Sequence, residues 1–185
     1  MKSSTILAAT MFGVAFTMVG TPQTALAANA AELDRDATAA LSTLYKRYPS
    51  AVTLSKGVKA ILVFPKIIKA GLMIGGETGD GVMRVKGKTV GYYNTSGVSF
   101  GLQIGAQQYG YALFLMTDEA VKSIATADGF EVGVGPTVVV MDEGMASKRT
   151  TTTAQSDIYA FIFGQEGIMA GLGVQGSKIT KIEKP

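Results

Sequence analysis

One short motif in this sequence matches the pattern around a catalytic serine. Residues 97–101, GVSFG, fit G-x-S-x-G, in which the serine attacks an acyl group after a base, normally histidine, has taken its proton. The chain contains no histidine, and apolar and small or polar residues keep alternating up to Gln107, as they do in a strand. We therefore expect Ser99 to be an ordinary strand residue.

Two further motifs resemble phosphate-binding loops. Residues 171–176, GLGVQG, fit G-x-G-x-x-G, but a dinucleotide site needs a following helix and an acidic residue about twenty positions later, and only nine residues remain. Residues 85–90, VKGKTV, resemble the end of a nucleotide-binding loop but are more typical of a hairpin turn. Neither motif predicts a nucleotide site.

The acidic residues do not predict a metal site or an acid-base pair. Glu77 and Asp80 lie in a glycine-rich stretch without the spacing of a calcium loop, and residues 76–80, GETGD, are predicted to form a polar turn between two strands. Without histidine or cysteine, the usual sites for zinc, copper and haem are excluded. We expect no catalytic residue, no metal and no cofactor, and therefore a protein that is not an enzyme. The other acidic residues considered are spread through predicted loops and strand ends: Asp142, Glu143, Asp157 and Glu166.

One segment combines cationic and apolar residues in the way that peripheral membrane sites do. Residues 55–69, SKGVKAILVFPKIIK, place lysines around a run of aliphatic and aromatic side chains. The alternative is that the apolar residues form a core strand and the lysines its solvated margins. The candidate lipid-binding residues are Lys56, Lys59, Lys66, Lys69, Phe64, Ile67 and Ile68.

Composition and the amino terminus indicate one exported domain. The 185 residues are 47% hydrophobic and 17% charged, which is typical of a folded chain, and a net charge of +3 does not imply nucleic-acid binding. Lys2, the apolar run 6–19 and the small residues of 25–27 predict a signal peptide over 1–27, followed by a single domain over 28–185. An uncleaved anchor is the alternative. We expect the protein to be periplasmic or secreted, or peripheral on a membrane.

Periodicity predicts a few helices followed by many strands. A helical face over 30–48 ends at Pro49, a second short helix is predicted at 53–60, and Pro65 is expected to stop a strand at 61–64. Thr117 is predicted to cap a helix that Gly129 follows. Further strands are predicted at 81–86, 89–94, 111–116, 130–140, 157–163 and 178–182.

The clearest strand alternates large apolar residues with small or polar ones, which predicts a half-buried strand. Its two faces are Val98, Phe100, Leu102, Ile104 and Ala106, and Ser99, Gly101, Gln103, Gly105 and Gln107. Residues 167–176 repeat the design, and the 23 glycines would let a sheet curl or an element approach closely. We predict a mainly β, α+β fold, in which an antiparallel β-barrel, closed or nearly so, has about three helices on its outside.

Three glycine-bearing blocks, at about 55–85, 92–107 and 167–179, resemble the SYLF domain family, the lipid-binding domain of secreted bacterial proteins and of eukaryotic Src-homology-3 proteins with actin-binding roles. The similarity runs from about residue 30 to 184. Lys56, Gly57, Gln103 and Ala106 match family positions. The glycines predicted to be structural are Gly71, Gly75, Gly76, Gly79, Gly81, Gly101, Gly105, Gly171 and Gly173.

The resemblance implies a β-barrel with surface helices and a non-enzymatic domain that binds phosphoinositides or other anionic lipids weakly. In a bacterial envelope, phosphatidylglycerol or cardiolipin would be the natural ligand. Actin binding is doubtful, because an export signal would separate the protein from actin. The rival hypotheses are an envelope scaffold that binds a protein partner, through a sheet face around Gln103, Gln107 and Gln175, and a small barrel that carries an apolar ligand.

Overall fold

The structure is a computed structural model that describes residues 29–126, 129–131, 137–141 and 156–185. The described part of the chain is mostly β and contains three helices. The predicted signal peptide, residues 132–136 of one predicted strand, and Asp142 and Glu143 lie outside the described residues.

The helices follow the sequence signals with one correction. α1, Ala30–Arg47, has its amino end capped by Asn29, whose side chain accepts a hydrogen bond from the Glu32 amide at 2.8 Å. α2 is Pro49–Ser55, so the second helix begins four residues earlier than predicted, because proline is well suited to the first helical position. α3, Asp118–Ala125, begins after Thr117, which caps it as predicted.

Three long strands make up most of the sheet. The strands are β1, Ala60–Val85; β2, Lys88–Leu115; β3, Phe130–Glu131; β4, Val138–Met141; and β5, Ile158–Ile182. The order is β1-β2-β5-β3 with antiparallel pairs, and β4 pairs in parallel with β5. Most of the short strands that the sequence predicted are therefore segments of β1, β2 and β5.

Two predicted interruptions of β1 are wrong, and one predicted turn is confirmed. β1 continues past Pro65, because a register shift between Phe64 and Ile67 leaves the proline outside the ladder. Residues 76–80 are not a turn, since each of them pairs with β2. The turn of VKGKTV is Lys86 and Gly87, whose φ angles of 49° and 78° are those of a two-residue hairpin.

The long sheet bends back on itself near residues 71–75. A Cβ atom on Gly71 would overlap Gly75, and a Cβ atom on Gly79 would lie 2.5 Å from the Lys66 carbonyl oxygen. Both halves of β1 therefore meet through glycines, as the architectural role of glycine predicts. A Cβ atom on Gly76 would have room, with nothing nearer than 3.9 Å. For Gly101, Gly171 and Gly173 the structure describes only that their backbone lies in strands.

The closed barrel is a wrong prediction. The sheet is an open, curled half-barrel, and in the described order it ends at β1 and β3, which do not pair with each other. Curvature comes from bending three long strands, not from closing a ring of short ones.

Two apolar layers hold the molecule together. One lies inside the folded sheet and includes Phe64, Leu113 and Ile158. The other lies between the sheet and α1, where Leu44 packs in the same cluster as Phe114 and Phe161. The Phe114 and Phe161 rings meet edge to face with centroids 5.1 Å apart.

Candidate functional site

The structure does not bring the four predicted lysines together. Lys56 and Lys59 lie just before β1, at the end of the sheet that we call the base, where β1 begins and β2 ends. Lys59 lies 3.4 Å from Asp118 of α3. Lys69 is ten residues further along β1, and a strand rises about 3.3 Å per residue, so roughly 30 Å separates it from Lys59. Only Lys66 and Lys69 lie near the bend.

The predicted inserting residues divide into core and surface. Phe64 and Ile67 are 0% and 1% exposed and belong to the layer inside the folded sheet, so their assignment to a membrane-contacting surface is wrong. The alternative, a core strand with solvated lysines at its margins, is correct for these two residues. Ile68 is 53% exposed.

The exposed apolar surface lies instead at the bend, on side chains that were not among the candidate lipid-binding residues. Six large apolar residues of β1 and β2 are between 55% and 68% exposed. We call this set the apolar tip. It consists of Leu72, Met73, Ile74, Val98, Phe100 and Ile104.

The tip is continuous because its residues face one another across the ladder. Leu72 pairs with Ile104, and Ile74 pairs with Phe100. Directly opposed residues of an antiparallel pair point to the same face with Cβ atoms about 5 Å apart. Val98 extends the surface opposite Gly76. The backbone of this part of β2 is also paired on its other side with β5.

The alternation in residues 98–106 is thus real but points the opposite way from the usual arrangement. Ser99 is 2% exposed, whereas its large neighbours Val98 and Phe100 are exposed. The bend explains the inversion. Where β1 doubles back, a Cβ atom on Gly71 would already overlap Gly75, so this part of the bend has no room inside for a large side chain, and the large side chains of the pattern point outward.

The surroundings of the tip carry few charges, and those present have both signs. Residues 70–76, 96–106 and 167–176 contain no Asp, Glu, Lys or Arg. At the margins Lys66 is exposed and Lys69 half-buried, and Lys178 and Glu166 lie on β5. The Gln108 amide donates a hydrogen bond to Glu166 at 2.6 Å.

A buried carboxylate lies beneath the tip. Glu77, in the second half of β1, is buried and accepts a hydrogen bond at 2.8 Å from the hydroxyl of Tyr109, which belongs to the ladder of the first half. Burial, with a contribution from the charge of Glu77, raises the pKa of Tyr111 to about 12. These contacts fasten the two halves of the bent sheet to each other.

A second polar cluster ties α1 to the hairpin between β1 and β2. The Asp34 carboxylate accepts hydrogen bonds from Thr89 at 2.6 Å and Tyr92 at 3.0 Å, and Arg84 donates to the Asp34 carbonyl oxygen at 2.7 Å. Desolvation acts to raise the pKa of Asp34, but hydrogen bonds from Thr89, Tyr92 and Arg84 outweigh it and hold that pKa below its ordinary value. The cluster stabilises the position of the helix.

The enzyme-like motifs lie in strands. GVSFG is part of β2, not a strand-to-helix turn, and GLGVQG is part of β5. Within the described ranges, no three acidic, histidine or cysteine side chains come together as metal ligands. The described helices include none that is long and apolar enough to cross a membrane.

These features define a mainly β domain of the open half-barrel type, with one helix packed across the sheet and an uncharged apolar surface at its bend. Residues 96–184 match the family model Ysc84, described as Las17-binding protein actin regulator. This match, which covers slightly less than half of the chain, is consistent with the resemblance to the SYLF family. The match includes Val98, Phe100 and Ile104 of the tip, but it begins after residues 55–69, which contain the four candidate lysines. No curated protein matches the chain.

Proposed function

We propose that this chain is an exported, non-enzymatic SYLF-type domain that binds phospholipid membranes peripherally, including anionic ones, through its apolar tip. The observation that carries the proposal is the continuous set of six exposed, large apolar side chains on paired strands. An exposed apolar patch of this kind marks an interaction surface, because a single soluble domain gains nothing from presenting it to water.

The tip can enter the boundary between headgroups and acyl chains at modest cost. Polar backbone groups are expensive in hydrocarbon unless they are hydrogen-bonded. Val98, Phe100 and Ile104 of β2 pair on both sides, with β1 and β5, whereas β1 is an edge strand in the described order, so its open edge must stay near the polar headgroups. Ser99, the polar residue between Val98 and Phe100, is turned inward. The surface offered to the membrane is therefore made of side chains that lipid tails accommodate readily.

The free energy of membrane binding available to the apolar tip exceeds that available to the lysines. Burying a large apolar side chain fully contributes about 1.5–3 kcal/mol, and these residues are a little over half exposed, so each has roughly 1 kcal/mol to gain. A lysine near an anionic surface contributes about 1 kcal/mol, and three described lysines, Lys66, Lys69 and Lys178, lie at the margin of the tip. Six apolar residues thus outweigh three lysines, and the cost of immobilisation leaves weak, reversible binding.

Lys56 and Lys59 do not contribute to membrane binding in this proposal. They lie roughly 30 Å from the tip side of β1, whereas electrostatic attraction fades over about 8 Å at physiological ionic strength. Lys66, Lys69 and Ile68 remain at the margin, where the lysines give a modest preference for phosphatidylglycerol or cardiolipin.

The description of the family model concerns a Las17-binding actin regulator. We do not extend actin binding to this chain, because the signal-like residues 1–27 imply export. The second candidate function, an envelope scaffold, would use the same tip against an apolar protein surface. Of the glutamines first assigned to that role, Gln107 is half-buried, and the side chains of Gln103 and Gln175 lie outside the described residues.

Vesicle co-sedimentation tests the proposal. Residues 28–185 should be retained by phospholipid vesicles, and Leu72→Ser with Ile74→Ser should weaken binding by about thirtyfold, as expected from losing roughly 1 kcal/mol per side chain.

The matched control for this double substitution is Val90→Ser, because Val90 is 53% exposed but lies near the start of β2, away from the tip. Equal retention of the double variant and the unaltered protein would refute the tip as the membrane contact. A protein partner would instead appear as discrete cross-linked adducts that survive lipid extraction and are lost in the double variant.

A further inference from the structure

We infer that the apolar tip recognises loosely packed lipid, such as that of strongly curved or unsaturated bilayers, and responds only weakly to headgroup charge. This inference rests on the proposed function and specifies which membrane the same site would select. It follows from the shape of the tip and from the charges around it.

The apex of the tip is narrow. Successive residues of a regular strand point to opposite faces, so three consecutive exposed side chains are unusual. Leu72, Met73 and Ile74 are all exposed because Met73 adopts a left-handed backbone conformation with φ of 65° at the bend. The three side chains therefore spread around the edge of the fold and present a wedge, not a flat face.

A wedge needs a gap between lipids. Headgroups are packed closely in a flat, saturated bilayer, and apolar side chains reach the acyl region most easily where curvature or unsaturation opens the headgroup layer. Phe100 and Ile104 lie directly beside the apex and enlarge the surface that such a gap would cover.

The charges that flank the tip are few: Lys66, Lys69 and Lys178 against Glu166, with no charged residue in the tip segments 70–76 and 96–106. Lys66 and Glu166 line the same cavity of about 190 Å³ beside Pro65. Lys69 is half-buried and already takes part in an interaction within the protein. The nearest ion pair on the other half of β1, Lys184 with Asp80 at 2.6 Å, is neutral as a unit.

Salt distinguishes the two kinds of recognition. Attraction between exposed lysines and anionic lipid is screened as ionic strength rises, whereas burial of apolar side chains is not. Selection by lipid packing therefore predicts binding that survives high salt and depends on curvature.

The test measures retention of residues 28–185 on four vesicle preparations, small or large and neutral or anionic, each at low and high salt. We expect small neutral vesicles to bind about tenfold more protein than large neutral ones at equal lipid, because insertion of apolar surface is sensitive to curvature. Anionic lipid should add no more than about threefold, and high salt should remove only that increment.

Two variants identify the residues that produce the preference for small vesicles. Leu72→Ser with Ile74→Ser should abolish the preference for small vesicles, while Lys66→Glu should leave it intact. Binding only to anionic vesicles, lost in high salt and equal for both sizes, would overturn this inference while leaving membrane binding in place. If the protein is retained in none of the eight combinations of vesicle and salt, the proposed function is overturned, and this inference with it.

Discussion

The same alternation of apolar and small residues buries opposite faces of the sheet at the bend and at the base. At the base, alternating apolar residues of β2 such as Phe114 point into a layer that α1 covers. At the bend, the apolar residues of the same strand, such as Phe100, point outward, and small residues point inward. Alternation shows that two faces exist, and the space available on each side decides which one is buried.

The sharpest test of this comparison is a pair of phenylalanine truncations. Phe114→Ala should lower the free energy of unfolding by about 3–5 kcal/mol, because it leaves a cavity in a close-packed layer. Phe100→Ala should cost less than about 1 kcal/mol, because more than half of that side chain is already in water. Urea denaturation of both variants measures the difference, and comparable losses would show that the tip is part of the core.

A pair of glycine substitutions tests the bend. Gly79→Ala should lower the free energy of unfolding by about 1–3 kcal/mol, because the added methyl group would press on the Lys66 carbonyl oxygen. Gly76→Ala has room and should change stability by less than about 0.5 kcal/mol. Thermal unfolding distinguishes them, and two neutral substitutions would contradict the close contact between the halves of β1.

A smaller effect is expected from the cluster that fixes α1. The pKa of Asp34 is lowered in the folded protein, so its contribution is present above the pKa of the unfolded chain, near 4, and is lost as pH falls through the lower, folded value. Asp34→Asn should therefore flatten the decline in stability between about pH 5 and pH 2, by about 1 kcal/mol or less for a partly exposed group. Asp36→Asn, at an exposed position of the same helix, is the control. Identical pH profiles for unaltered protein and the Asp34 variant would refute the assignment.

The smallest effect concerns the lysines at the base. Lys56→Glu with Lys59→Glu should leave vesicle retention within about twofold of the unaltered protein, because these residues lie several screening lengths from the tip. The comparable change at the margin, Lys66→Glu, should reduce retention on anionic vesicles alone. A large loss of retention in the Lys56→Glu, Lys59→Glu variant would restore residues 55–69 as the membrane contact.

Much of the fold could be predicted from local signals. Asn29 and Thr117 cap helices, Lys86 and Gly87 form a hairpin, and the apolar spacing of 33–44 marks the buried face of α1, because each of these signals depends on a few neighbouring residues. Pro65 misled the prediction, since a proline stops a strand only where its missing amide is needed for pairing.

The site was harder to predict for a physical reason. Whether Ile67 or Phe100 is exposed depends on how a strand bends against its own second half, a contact between residues far apart in sequence. The glycines of 71–81 indicated a close approach but did not identify the partner. The available signal was the absence of charge in 70–76, 96–106 and 167–176, which marked three stretches that meet in one place.

Entry of the tip into lipid, while the hairpin end of β2 stays in water, can be tested with one fluorescent reporter. The chain has no tryptophan, so Phe100→Trp places the only tryptophan at the tip, and Val90→Trp, a substitution at a similarly exposed position outside it, serves as the reference. On small phospholipid vesicles, we expect a blue-shifted emission and quenching by brominated acyl chains for the Phe100→Trp variant and no change for the Val90→Trp variant. An unchanged spectrum at position 100, in a variant that still sediments with the vesicles, would contradict it.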